Sequence, residues 1–327
     1  MSFYIYAETA FHHEGDKEYL LKLIDEAKNA GLQGIKFQVL MDLNQLMSTR
    51  HSSYQDAKKW VFSIDDWKEI FEHAKSIGLD IILMPIDVGA FELISSFDVR
   101  YVEIHSVSFK DKKLLSKLDE FSVPLILGVG GRTLDEIAFL VNKHKSRDVT
   151  LMVGFQSFPS DLNDIKLGRI KELVSMYPNC TIGYADHSSY DSEMSVTSNE
   201  YAYALGARVF EKHITINEGK ERIDFQSAVG IDKLKSIVNK LTYLDEILDL
   251  NDDHLFVMNE KEINYRNRQK VPVAARDLLV GCILSENDIN MKTIDNESAI
   301  DDPQLLIGKT LKYNVEYDSA FLQKNIL

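Results

Sequence analysis

Two histidines stand at the ends of two short apolar runs, and imidazoles so placed can hold a divalent metal. His187 closes Gly183-Tyr184-Ala185-Asp186-His187, and His213 closes Ala207-Arg208-Val209-Phe210-Glu211-Lys212-His213. The runs Thr181–Tyr184 and Ala207–Phe210 read as buried parallel strands, with a helix-patterned stretch over 188–205 between them. Neighbouring parallel strands of an α/β barrel aim their carboxyl ends into one mouth, where such barrels do their chemistry. Neutral imidazole is a preferred ligand for divalent metals. Two such ligands leave positions open for water and substrate oxygens, which suits polarisation of a carbonyl. The bland alternative is a pair of hydrogen-bonded core histidines.

Other strand ends add to the same mouth. The first candidate strand offers Glu8, the second Lys36 and Gln38, and the fourth His105 and Ser106. The fifth runs into Gly128-Val129-Gly130-Gly131-Arg132, the sixth into Gln156 and Ser157, and the eighth carries Glu211 before His213. An acid, a lysine and two histidines would then converge. Each has a plainer reading: Glu8 as an ion-pair partner of Lys36 across adjacent strands, Glu211 and Lys212 as supporting groups. The glycines before Arg132, with a helix starting at Thr133, would expose backbone N–H groups to an anion. Equally, they would make a tight turn with a solvated arginine.

These positions depend on an alternating strand–helix chain. Candidate strands are Phe3–Glu8, Gly34–Gln38, Asp80–Met84, Tyr101–His105, Pro124–Gly128, Thr150–Gly154, Thr181–Tyr184 and Ala207–Glu211. Amphipathic stretches at Lys17–Ala30, Asp65–Ile77, Thr133–Lys145, Asp164–Tyr177 and Ile231–Leu248 lie between or after them. About eight strand–helix units in some 250 residues match a (β/α)₈ TIM barrel. The rival, a doubly wound open sheet, usually has a glycine-rich turn after its first strand; Glu8-Thr9-Ala10-Phe11-His12-His13 is not one. The barrel is therefore expected over residues 1–250, a polar linker over 251–268, and a small, mostly β domain over 269–327. Its short strands are expected at Val271–Ala274, Leu278–Gly281, Ile283-Leu284 and Leu306–Lys309.

Composition narrows the partners. The 327 residues are 45% hydrophobic, enough for a folded core. Net charge is −14, with 51 acidic residues against 37 basic. That argues against a broad surface for nucleic acid or anionic membrane, and no apolar run reaches the ~20 residues of a membrane span. The first residues have no signal-peptide pattern, so a cytoplasmic protein is expected. Cys180 and Cys282 lack metal-ligand spacing and read as reduced thiols.

Several of these residues together resemble the sialic acid (N-acetylneuraminate) synthase family over nearly the whole chain. Ala7-Glu8 with Gly15-Asp16 is similar to the family's AExGxNHxGD, and Ile35-Lys36-Phe37-Gln38 to its VKFQ. Gly183–His187 is similar to GYSDH, and Gly206-Ala207 with Glu211-Lys212-His213 to GAxxxEKH. Residues 272–326, with Ala274-Ala275-Arg276-Asp277 and Leu306-Ile307-Gly308-Lys309, resemble its antifreeze-like (SAF) domain.

The resemblance implies a TIM barrel joined to an antifreeze-like domain in a domain-swapped homodimer. It also implies condensation of phosphoenolpyruvate with an N-acylated amino sugar of the N-acetylmannosamine type, aided by Mn²⁺ or Mg²⁺. On that reading His187 and His213 hold the metal and Glu8 moves protons. Lys36 would offset the phosphoenolpyruvate carboxylate, and Gln38 and Asp224 would hold the sugar. Ser106, Arg132 and Gln156 complete the expected substrate contacts.

This sequence departs from the family in the phosphate pocket. Glu103 stands for a lysine, Met84 for a threonine, Gly128 and Ala185 for serines, Gln156 for an asparagine and Phe158 for a tyrosine; an arginine of the antifreeze-like domain falls near Thr293 or Ile294. Either Gly128–Arg132 rebuilds the phosphate contacts, or phosphoenolpyruvate has been abandoned. The second case leaves a metal-dependent sugar lyase or isomerase, or a non-catalytic carbohydrate-binding protein.

Overall fold

A computed structural model describes residues 2–154, 157–248, 255–295 and 298–326. The chain divides into two compact units, Met1–Asn251 and Asp252–Leu327. In the first, eight parallel strands close into a barrel in sequence order. They are β1 (Tyr4–Glu8), β2 (Gly34–Val39), β3 (Asp80–Pro85), β4 (Tyr101–Ile104), β5 (Leu125–Gly128), β6 (Val149–Val153), β7 (Thr181–Asp186) and β8 (Val209–His213). Parallel strands with helices outside and packed side chains inside are buried on both faces, hence their near-continuous apolar runs. All of Leu125–Gly128, for example, is buried.

Inside the barrel Tyr6, Ile82, Ile126, Met152, Ala185 and Val209 pack together. Outside, helices press an apolar face onto the strands. Lys17–Asn29 starts at Asp16, whose side chain accepts from the Tyr19 N–H, and buries Leu20, Leu23 and Ile24. Burial of each of those three side chains contributes roughly 1.5–3 kcal/mol. Ile64–Ser76 and Leu134–Lys143 open with capping boxes, Ser63 with Asp66 and Thr133 with Glu136. Met194–Ala204 separates β7 from β8, and Ile231–Leu248 follows β8. No helix among the described residues is long and apolar enough to cross a membrane.

Several boundaries differ from the sequence expectation. Asp164–Tyr177 is two helices, Leu162–Ile165 and Gly168–Met176, because Lys166 between them is left-handed at φ 46°. The β3–β4 connection carries a 3₁₀ segment, Val88–Ser95, and a short helix at Lys112–Leu118 was not expected. β7 and β8 each end two residues beyond the expected strands Thr181–Tyr184 and Ala207–Glu211, since Ala185, Asp186, Lys212 and His213 stay in register, and β8 begins at Val209 rather than Ala207.

In the second unit, β9 (Val271–Ala274) and β10 (Ile289–Lys292) pair antiparallel. Leu278 and Ile283 form only single bridges, to Val315 and Thr310. Leu306–Lys309 is a turn rather than a strand, with Gly308 at φ 79°. A core of Leu278, Leu284, Leu306, Leu311, Val315 and Phe321 holds the unit together. Part of the stretch read as linker is helical: Glu260–Arg266 is closed by an Asn259–Glu262 capping box.

Candidate active site

The barrel mouth holds a cavity of about 320 Å³ whose lining includes Glu8, Lys36, Gln38, His187, His213 and Asp224. All six were expected at the site from sequence. The same cavity is lined by Glu103 and Glu211.

The histidines are built as ligands. Nδ1 of His187 lies 3.1 Å from the Ala185 carbonyl, an oxygen that can only accept. The proton therefore sits on Nδ1, leaving the Nε2 lone pair free. The His187 carbonyl is held in turn by the Ser160 N–H and the Ser227 hydroxyl, both at 2.8 Å. Burial lowers the pKa of His187 to about 4 and that of His213 well below the usual histidine value, so both rings are neutral at pH 7. Their centroids are 5.1 Å apart, with the edge of Phe158 against both.

One ligand atom each from His187, Glu211 and His213 lies within 4.8 Å of the others. Glu211 spends Oε2 on Lys36 and Tyr6, at 2.6 and 2.7 Å. That leaves its second oxygen open to a cation. Two neutral imidazoles and a carboxylate fit a Mn²⁺-like divalent ion.

Beside this group lies a charge cluster centred on Lys36. Its ammonium is 2.6 Å from Glu8, 3.0 Å from Glu103 and 2.6 Å from Glu211, all buried. Burial opposes its charge, but Glu103 and Glu211 outweigh that and raise its pKa. Glu103 is pushed to about 7, chiefly by burial, against the pull of Lys36. For Glu211, Lys36 and the Tyr6 hydroxyl overcome burial, and its pKa falls. Glu8 accepts from the Ala10 N–H at 2.6 Å and from the Gln38 amide at 3.2 Å. Asp224 stands in a left-handed conformation, φ 62°, and burial raises its pKa to about 6.

The other expected residues lie elsewhere. Ser106 is buried in a 3₁₀ turn just after β4 and is not part of the cavity lining. Arg132 faces a separate cavity of about 450 Å³ shared with Arg169 and Glu172. Its guanidinium is 3.7 Å from Glu136, so the turn throws it outward rather than into the mouth. Gln156 lies outside the described residues. Two functional features went unread in the sequence: Glu211 as a third ligand and Glu103 as a partner of Lys36. The first had a signal, because Glu211 and His213 are two apart on one strand and share a face.

A model of the NeuB family matches residues 23–252. The chain is 27% identical to the N-acetylneuraminate-9-phosphate synthase of Drosophila melanogaster, over 100% of this chain and 96% of that protein. It is 24% identical to the N,N'-diacetyllegionaminic acid synthase of Campylobacter jejuni, over 96% of this chain and 97% of the relative. Among solved structures, the N-acetylneuraminic acid (sialic acid) synthetase of Leptospira borgpetersenii superposes with a TM-score of 0.71 at 26% identity, covering 81% of this chain and 91% of that one.

Proposed function

The chain belongs to the NeuB family, and on that premise we propose metal-assisted carbon–carbon bond chemistry at the carbonyl of an N-acylated amino sugar, giving a nonulosonic 2-keto acid. The observation that carries this is the His187–Glu211–His213 group, donor atoms within 4.8 Å, opening on the same cavity as Glu8, Gln38 and Asp224. A divalent ion held there, Mn²⁺ or Mg²⁺, supplies Lewis acidity toward the sugar's carbonyl oxygen. Gln38 and Asp224 orient the sugar hydroxyls. Glu8, fixed by the Ala10 N–H, moves protons at the tetrahedral stage.

In the family-type reaction the three-carbon partner is phosphoenolpyruvate. Its enol carbon attacks the aldehyde, water adds at the enol ether carbon, and phosphate leaves. The names of the sialic and legionaminic acid synthase relatives support a nonulosonic acid as the product. Mn²⁺-loaded protein mixed with phosphoenolpyruvate and a panel of N-acylated amino sugars should release phosphate in step with 2-keto acid. Neither release nor binding would remove phosphoenolpyruvate as the donor. By the same resemblance, residues 269–327 are proposed as an antifreeze-like domain and the protein as a domain-swapped homodimer; light scattering at the mass of a single chain would contradict the dimer.

A second reading, a metal-dependent sugar lyase or isomerase without phosphoenolpyruvate, is favoured by one observation. The cationic side chain expected to meet that anion, Lys36, is already engaged by three carboxylates.

A further inference from the structure

Asp224 lines the barrel-mouth cavity from the connection after β8, in a left-handed conformation at φ 62°. No hydrogen bond to its carboxylate is formed among the described residues. The backbone on either side must therefore hold it in place. A non-glycine residue keeps such a conformation only where its surroundings over-determine it, and two anchors do so here. On the carboxyl side the Ser227 N–H donates to the Asp224 carbonyl at 3.1 Å, and the Ser227 hydroxyl to the His187 carbonyl at 2.8 Å.

The anchor on the amino side comes from the loop between β1 and the Lys17–Asn29 helix. Its central group is His12, a buried ring whose Nδ1 is 2.6 Å from the carbonyl of Ile223, the residue before Asp224. A carbonyl only accepts, so Nδ1 carries the proton and Nε2 accepts from the Thr215 hydroxyl at 2.9 Å. Burial lowers the pKa of His12, which keeps the ring in this neutral form at pH 7. Glu14 closes the other side. Its Oε1 accepts the Ile223 N–H at 3.1 Å, and its Oε2 faces Arg222 at 3.4 Å. Arg222 donates to the His12 carbonyl at 3.2 Å and lies over the Tyr19 ring at 3.9 Å.

Both backbone groups of Ile223 are thus held by the loop that follows Glu8. The barrel does not need this network to close, because β1 and β8 already pair from Tyr4–Val209 to Glu8–His213. His12 does not line the cavity, so its effect on a bound molecule must run through its neighbour.

We infer that His12 is a positioning residue for the sugar, fixing Asp224 relative to Glu8 and the metal group through the Ile223 carbonyl. This rests on the role proposed above for Asp224. Residues 223–227 are strung between the loop after Glu8 and the carbonyl of the metal-group His187. With Ile223 released, Asp224 keeps its carboxylate but loses its set orientation, which is what a bound sugar depends on. The His187, Glu211 and His213 donors are untouched.

The test uses the whole chain and starts with hydrogen exchange read by mass spectrometry, which needs no substrate. Peptides covering residues 216–228 should exchange at least tenfold faster, on the order of a local opening, in His12→Leu while the barrel strands stay protected. Unchanged protection overturns the inference; protection lost throughout the barrel makes His12 a residue of the fold and overturns it too. Phosphate release from phosphoenolpyruvate and N-acylated amino sugars is the second readout. His12→Leu should raise the sugar KM about tenfold, with the phosphoenolpyruvate KM and Mn²⁺ affinity within about twofold. His12→Asn, whose amide can still donate to the Ile223 carbonyl, should recover most of that loss. In an Asp224→Ala background, His12→Leu should change the sugar KM by less than about twofold, because its effect runs through that carboxylate. Full additivity of the two changes, or a sugar KM unmoved by His12→Leu in an active enzyme, overturns the inference and leaves the proposed function standing. A wild-type chain that turns over no sugar removes the proposed function, and this inference with it.

Discussion

Asp186 and Lys212 pair at 2.5 Å across the register of β7 and β8, each one residue before a histidine of the metal group. Both side chains are buried. Asp186 also accepts from the Ser188 N–H and hydroxyl, and Lys212 overcomes the effect of burial to hold its pKa down. A salt bridge out of water ties together the two strand ends that present His187 and His213.

Breaking that pair should loosen both histidines. Lys212→Met leaves Asp186 charged and buried, so chemical denaturation should show a loss of about 3–5 kcal/mol. The double variant Asp186→Asn/Lys212→Met should lose less than the sum of the two single changes. Mn²⁺ affinity in the single variant should fall about 10–100-fold, as when a group orienting a ligand is removed.

Gly154, just after β6, should tolerate no side chain. A Cβ there would lie 2.8 Å from the Ala185 carbonyl oxygen and 3.5 Å from the His187 ring. The carbonyl belongs to strand backbone and already accepts from His187, so it cannot move aside at low cost. Gly154→Ala should destabilise by about 1–3 kcal/mol in denaturant titrations and weaken Mn²⁺ binding at the same time.

What was legible in the sequence follows from how barrels are built. The strands were visible because burial on both faces demands apolar runs, and the histidines because they end such runs. Of the cluster around Lys36, the pairing with Glu8 on the adjacent strand was visible, but the partners Glu103 and Glu211 were not. Lys36 is on β2, Glu103 on β4 and Glu211 on β8, alternate strands that meet only across the barrel interior, as barrel layers are composed. No local spacing records that meeting. Arg132 was misleading for a related reason: its glycine turn looked anion-binding, but which way a turn throws its next side chain depends on the helices packed around it.

His13 gives a pH signature away from the metal group. It stacks on Phe62 at 4.7 Å, its Nδ1 accepts the Gly15 N–H, and its Nε2 has no partner. Burial lowers its pKa to about 3. An unfolded histidine titrates near 6.5, so between about pH 6.5 and 3 the unfolded chain binds more protons. Stability from this group is complete above about pH 6.5 and is lost as pH falls, by up to about 1.4 kcal/mol per unit. His13→Phe should remove that slope. The difference between variant and wild type is the quantity to follow, because Glu103 and Asp224, with raised pKa values, act in the opposite sense.

Arg132 and Asp224 should separate in steady-state kinetics. Asp224 lines the barrel-mouth cavity and Arg132 lines another. Asp224→Ala should raise the KM for the sugar about tenfold or more, as expected for losing a buried polar contact. Arg132→Ala should leave the KM of both substrates within about twofold.

The most direct measurement is a Mn²⁺ titration of the purified chain, wild type against His213→Ala and His187→Ala, with circular dichroism confirming that the variants fold. One ion per wild-type chain is predicted, with an affinity about 100-fold weaker in either variant, since each removes one of the three ligand atoms. A wild-type chain that takes up no divalent ion, or one whose binding is indifferent to both histidines, would contradict it.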